Sequence, residues 1–98
     1  MYRIKRTPEF AEWLDNLRDR TAIARLIRRL EKAARGNLGD IKRIGPRVYE
    51  MREFFGPGWR MYYTVRNDTL IIMLGGGDKS SQKTDIATAI RLAERLED

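Results

Sequence analysis

The run VYEMREFFGPGWRMYYTV, residues 48–65, sets Glu50, Arg52, Arg60 and Tyr62 in two alternating stretches around a Gly-Pro-Gly break. An arginine presents a planar fork of donors that matches the oxygens of a phosphate better than a point charge does. A carboxylate two residues away on the same strand face serves either as a general base or as an ion-pair partner, so Glu50 has both readings. Lys79, after the last strand candidate, is placed to hold a phosphate, to help protonate a leaving oxygen, or simply to cap a helix. The chain contains no histidine and no cysteine. That removes the usual general base near neutral pH, the commonest metal ligand, disulfides and thiolate metal sites. An RNA strand supplies its own nucleophile, the 2′-hydroxyl. Its cleavage needs in-line positioning, charge stabilisation on the phosphoryl oxygens and proton movement, with no obligatory metal or cofactor.

Those side chains act together only if the strand register lets them meet. Asn67 and Asp68 both tolerate positive φ and suit a two-residue type I′ loop. That loop sets Val65 opposite Leu70, Tyr63 opposite Ile72 and Met61 opposite Leu74. On the reverse face it sets Tyr62 opposite Met73 and Arg60 opposite Gly75. The first hairpin is different, because Pro57 cannot enter a tight primed turn and a longer loop is needed. Matching the apolar set Tyr49 and Met51 to Trp59, Met61, Tyr63 and Val65 requires that loop to be odd in length. Glu50, Arg52, Arg60 and Tyr62 then share one exposed face, with Arg52 directly across from Arg60. Like charges in that position destabilise a sheet unless an anion lies between them. Tyr62 on such a face either stacks on a base or packs as ordinary surface.

The elements that must hold this face follow from periodicity. YRIKR alternates as a short strand, and Thr7-Pro8 offers an N-cap followed by proline at the first helical position. Phe10, Trp13, Leu14 and Leu17 form one stripe. Thr21 is a second cap candidate, ahead of Ile23, Leu26, Ile27, Leu30, Ala33 and Ala34, and Gly36 is the stop. The connection NLGDIKRIGPR carries a short extended piece over 41–44. Strand candidates at 48–54, 59–66 and 69–74 lead through GGGDKSS to a third helix, with Ile86, Ala89, Ile90, Ala93 and Leu96 on its stripe. The order β-α-α-β-β-β-α predicts a single α+β domain over 1–98, a mostly antiparallel sheet with helices on one face and the other face free.

At 98 residues there is room for one core. Residues 1–66 hold 16 basic residues against 8 acids, and 67–98 hold 4 against 6, so the net charge of +6 lies in the first two thirds. Such a surface suits an anionic partner, with nucleic acid leading, although basic charge also keeps a protein soluble. Arg25, Arg28, Arg29, Lys32 and Arg35 recur at helical spacing away from the apolar stripe. They meet RNA phosphates, meet an acidic segment of a protein partner, or form a solvated face. Lys42 and Arg43 belong to the same candidate substrate-binding set. GGGDKS fails as a P-loop, because Met73 and Asp78 stand where that pattern needs glycine. No run reaches the ~18 apolar residues of a membrane span and the amino terminus lacks a signal core, so a cytoplasmic protein is expected.

The segments YEMREFFGPGWRMYY and LGGGDKSSQKTDI resemble the RelE/ParE toxins of bacterial type II toxin–antitoxin systems, in particular the branch called addiction-module killer proteins, related to HigB-type toxins. The resemblance covers essentially the whole chain. It implies a compact sheet flanked by helices, and a toxin silenced by a co-encoded antitoxin, here expected to be a helix-turn-helix protein. In RelE-like members it implies cleavage of messenger RNA in the ribosomal decoding site, with ribosome and mRNA as partners. ParE-like members share the fold but poison DNA gyrase. Carried over residue by residue, the basic pair of the first meander strand falls on Glu50 and Arg52. The next arginine falls on Arg60, and the basic residue after the last strand on Lys79. Glu50 is acidic where the pattern has a base, and the terminal tyrosine has no counterpart, Asp85 or Ile86 standing there. A nuclease toxin is therefore expected first, and a non-catalytic binder of a protein target such as gyrase second.

Overall fold

The computed structural model describes residues 1–96. The first strand, β1 (Arg3–Arg6), ends at Thr7, which caps α1 (Pro8–Asp15). The Thr7 hydroxyl accepts from the Phe10 amide at 3.1 Å and donates to the Met73 carbonyl at 2.8 Å, so one side chain both starts the helix and ties it to the sheet. The second helix, α2 (Arg20–Ala34), is capped by Asp19 rather than by the expected Thr21. The Asp19 carboxylate accepts from the Ala22 amide at 3.1 Å, and its charge suits the positive end of the helix, which leaves Thr21 inside the first turn. Gly36, at φ +101°, ends α2 as expected.

The connection after α2 carries a full strand, β2 (Ile41–Gly45), followed by β3 (Val48–Arg52), β4 (Arg60–Arg66) and β5 (Leu70–Gly77). A 3₁₀ turn (Lys79–Ser81) then leads into α3 (Gln82–Arg95). Spatial order in the five-stranded sheet is β1-β5-β4-β3-β2; β1 runs parallel to β5 and every other neighbour is antiparallel.

The helical hairpin buries one face of the sheet, with Phe10, Leu14, Leu26 and Leu30 against Met51, Met61, Tyr63, Ile71 and Met73. The other face, expected to be free, is not: Ala89, Leu92 and Ala93 of α3 pack on Val48, Tyr62, Ile72 and Leu74. With α1 and α2 filling the first face, the apolar stripe of α3 can leave water only by covering the second.

The register of the last hairpin also departs from expectation. Asn67 (φ 54°) and Asp68 (φ 57°) form the turn, and the Thr69 amide donates to the Arg66 carbonyl at 3.2 Å. Pairing then resumes one residue later, with Val65 opposite Ile71 and Tyr63 opposite Met73. A second slip, between Tyr62 and Tyr63, puts Tyr62 opposite Gly75 and Arg60 opposite Gly77, not Gly75. Alternation could not arbitrate here, because residues 70–74, LIIML, are apolar at every position, with 71–74 buried between two helical layers.

Candidate active site

The turn between β3 and β4 is built as parity demanded. The Glu53 amide donates to the Trp59 carbonyl at 2.9 Å, leaving the five residues 54–58 as the loop, and Gly56 and Gly58 take positive φ (57° and 81°). Arg52 lies directly across from Arg60, and Glu50 across from Tyr62. Lys79 arrives from the other side, its amide donating to the Pro57 carbonyl at 3.4 Å. A Cβ placed on Gly58 would sit 3.5 Å from both the Arg60 Nη1 and the Lys79 Cβ, so these two residues flank one glycine. Three basic residues thus gather at one end of the sheet.

Each arginine has its own internal counter-charge. Arg52 donates from Nη2 to Asp40 Oδ1 at 3.1 Å and keeps 31% of its side chain exposed. Arg60 is buried, with its Nε 4.0 Å from Glu50 Oε1 and its Nη1 donating to the Trp59 carbonyl at 3.3 Å. The like-charge pairing is therefore relieved by two carboxylates, not left wholly to an external anion.

Burial changes the roles open to Glu50 and Tyr62. Glu50 is 1% exposed, and the amide of Gln82, the first residue of α3, donates to its Oε2 at 3.0 Å and to its Oε1 at 3.4 Å. It is placed to orient Arg60 and is closed off from a general base's substrate proton. Tyr62, expected on an exposed face, is fully buried beneath α3 and cannot stack on a base. Burial first, then the charges of Glu50 and Asp85, raises its phenol well above the ordinary value, so it stays neutral. Among the described residues the Tyr62 hydroxyl and the Arg60 Nε have no hydrogen-bond partner.

Gly77 shows how closely α3 is drawn onto this corner. A Cβ there would lie 1.9 Å from Asp85 Oδ2, and Asp85 accepts from the Ser81 hydroxyl at 2.5 Å. Asp78 begins the 3₁₀ turn by accepting from the Ser80 amide at 2.8 Å. The bonds from Ser80, side chain foremost, hold its carboxyl below the usual carboxylate range.

The basic stripe of α2 divides in two. Arg25, Arg28 and Lys32 are exposed around a depression of about 160 Å³ that Arg29 and Glu53 complete, and the Arg25 guanidinium lies 3.9 Å from the centre of the Phe55 ring. Arg29 departs from the expected solvent-facing stripe and is buried. Its guanidinium donates to the carbonyls of Leu38 (2.9 and 3.2 Å), Asp40 (2.8 Å) and Arg52 (2.9 Å) and to the Glu53 carboxylate. Lys42 and Arg43 are exposed on the edge strand β2, opposite Glu50 and Tyr49 respectively, and so point to different faces of the sheet.

Sequence reasoning missed Gln82, Asp40 and Arg29 as the residues that orient the site. Their signal is three-dimensional: each lies far from Arg52 and Arg60 in sequence, and only the packing of α2, β2 and α3 around β3 and β4 brings them in. Among the described residues no group of three or more His, Cys, Asp or Glu could hold a metal ion, and no helix is long and apolar enough to cross a membrane.

Residues 12–97 match the family described as phage-derived protein Gp49-like (DUF891). A Haemophilus influenzae protein described as uncharacterized is 41% identical over 93 residues, which span 95% of this chain and 94% of its own. A mutant of the E. coli toxin RelE, solved in the free state, superposes with a TM-score of 0.71 over 98% of each chain. Identity to it is 16%, so that likeness is one of fold.

Proposed function

Since the chain belongs to the phage-derived Gp49-like family and has the fold of the RelE superfamily, we propose that it is the toxin of a type II toxin–antitoxin pair, acting as a metal-independent, ribosome-dependent mRNA endonuclease. The observation that carries the reading is the convergence of Arg52, Arg60 and Lys79 at one corner of the sheet, each donor-rich and each matched to phosphate.

In this reading the 2′-oxygen of the RNA attacks the adjacent phosphorus in line with the 5′-oxygen. The P–O5′ bond breaks, leaving a 2′,3′-cyclic phosphate and a 5′-hydroxyl. Arg52 and Lys79, the two more exposed cations, hold the phosphoryl oxygens as charge develops on them. Arg60, behind them, adds its guanidinium in an orientation set by Glu50, which Gln82 in turn steadies. Lys79 supplies the proton for the departing 5′-oxygen, and the 2′-hydroxyl proton passes to solvent. The exposed Arg25, Arg28 and Lys32, with Lys42 and Arg43, would meet RNA phosphates further along. The same basic surface suits an acidic segment of a co-encoded helix-turn-helix antitoxin.

Induced expression followed by mapping of transcript 5′ ends tests the reading. New cuts within translated codons are expected, and Arg52→Ala or Lys79→Ala should lower their frequency by about a hundredfold or more, the usual loss for one donor to a developing oxyanion. Growth arrest with intact transcripts would refute it and favour a protein target.

A further inference from the structure

Of the nine aromatic residues, only Phe54 is exposed, at 73% of its surface. Each of the others near the arginine corner is already engaged. Tyr62 is covered by α3, Trp59 packs edge-on to Trp13 at 6.3 Å between ring centres, and Phe55 carries the Arg25 guanidinium on its face. A lone exposed hydrophobic side chain needs no explanation in general. Phe54 differs in its setting. It opens the five-residue loop between β3 and β4, two residues beyond Arg52, and its ring centre lies 5.8 Å from the Arg52 guanidinium.

The loop that carries Phe54 is held in place. Glycines with left-handed φ stand at 56 and 58, the Gly58 amide donates to the Phe55 carbonyl at 3.1 Å, and the Lys79 amide reaches back to Pro57. The ring is thus presented beside the corner where Arg52, Arg60 and Lys79 meet. An aromatic face next to phosphate-binding cations is the arrangement by which proteins hold single-stranded nucleic acid without reading base identity.

We propose that Phe54 is a stacking platform for one unpaired base of a single-stranded RNA whose neighbouring phosphate is held by Arg52 and Lys79. This rests on the nuclease reading above and gives it a substrate contact on the base side.

The test is a titration of the purified chain with a short 2′-O-methyl RNA, which cannot be cut, and with the same backbone carrying abasic sites. Phe54→Ala should bind the base-bearing strand roughly five- to a hundredfold more weakly and the abasic strand unchanged, since stacking is the only contact removed. Phe54→Trp should restore binding and show fluorescence quenching by the base-bearing strand alone. Equal binding of both strands by Phe54→Ala and wild type, or an equal loss on both, overturns the platform. If Arg52→Ala weakens both strands while Phe54→Ala weakens neither, the platform falls and the phosphate contacts stand. If the wild type binds neither strand, the platform falls, while the ribosome-dependent nuclease reading stands or falls on the transcript mapping above.

Discussion

Replacing Arg29 with alanine separates an architectural arginine from the substrate-binding stripe on which it sits. The Arg29 side chain is 9% exposed, and its guanidinium meets the carbonyls of Leu38, Asp40 and Arg52 together with the Glu53 carboxylate. Truncation takes a donor from three carbonyls and one carboxylate, of which the Asp40 carbonyl still accepts from the Arg52 amide at 3.0 Å. A hydrogen bond contributes about 1 kcal/mol net and a charged one ~1.5–3 kcal/mol, while breaking a buried ion pair costs about 3–5 kcal/mol. Water can reach Glu53, which is 21% exposed, so the lower part of that range applies, near ~3 kcal/mol. Against a total stability of ~5–15 kcal/mol, and at ~4–8 °C per kcal/mol for a chain of this size, Tm should fall by about 12 °C or more. Arg28, one residue earlier and exposed, provides the control, since its alanine variant should stay within ~0.5 kcal/mol of wild type. Lysine at 29 should fail nearly as badly, because one ammonium cannot span four acceptors held by a planar fork. Urea denaturation of the three variants measures this directly. If Arg29→Ala and Arg28→Ala shift the midpoint equally, the internal hydrogen bonds do not hold the 37–40 connection to the end of β3 and the argument fails.

Two further outcomes follow from the packing around the site. Burial foremost, with Tyr49 and Tyr2 adding to it, pushes Tyr63 up to about 12, and Tyr62 is raised further. The unfolded chain loses these phenolic protons near pH 10 while the folded one keeps them. Stability should therefore be intact below about pH 10 and fall towards pH 12 by up to ~1.4 kcal/mol per unit for each phenol. Tyr63→Phe should flatten that slope in denaturation series run from about pH 9 to about pH 11. Gly77→Ala drives a methyl to 1.9 Å from Asp85 Oδ2, an overpacking cost of about 1–3 kcal/mol. Adding Asp85→Ala should recover much of the loss, and a double-mutant cycle with no coupling between the two would show that α3 does not lean on β5 there.

The elements whose signals are local were legible in advance. Thr7-Pro8 starts α1, Gly36 stops α2, and Pro57 with the alternation of Tyr49 and Met51 fixes an odd loop that sets Arg52 across from Arg60. What escaped was whatever depends on a second layer. β5 is apolar on both faces, so no polar residue could betray the slip at the turn and the bulge that together move Arg60 from Gly75 to Gly77. Glu50 and Tyr62 alternate as an exposed face would, and only the docking of α3 turns that face into a buried polar seam. The stripe on α2 shows the same limit in miniature. Arg28 and Arg29 are adjacent and chemically identical, yet one faces water and the other fastens the connection beneath it.

The parallel pairing of β1 with β5 also orders events in time. Arg3 aligns with Leu70 and the Thr7 hydroxyl reaches Met73, so the opening residues of the chain have no sheet to join until β5 has been made. Long-range strand pairing of this kind is slow, because the loop must close before any contact rewards it. α1 and α2 can form early from local signals, but both sheet faces are completed only when β5 slides between β4 and the waiting first strand. The corner that gathers Arg52, Arg60 and Lys79 is therefore rigid late in synthesis, so a chain still missing β5 has the arginines without the platform that aims them.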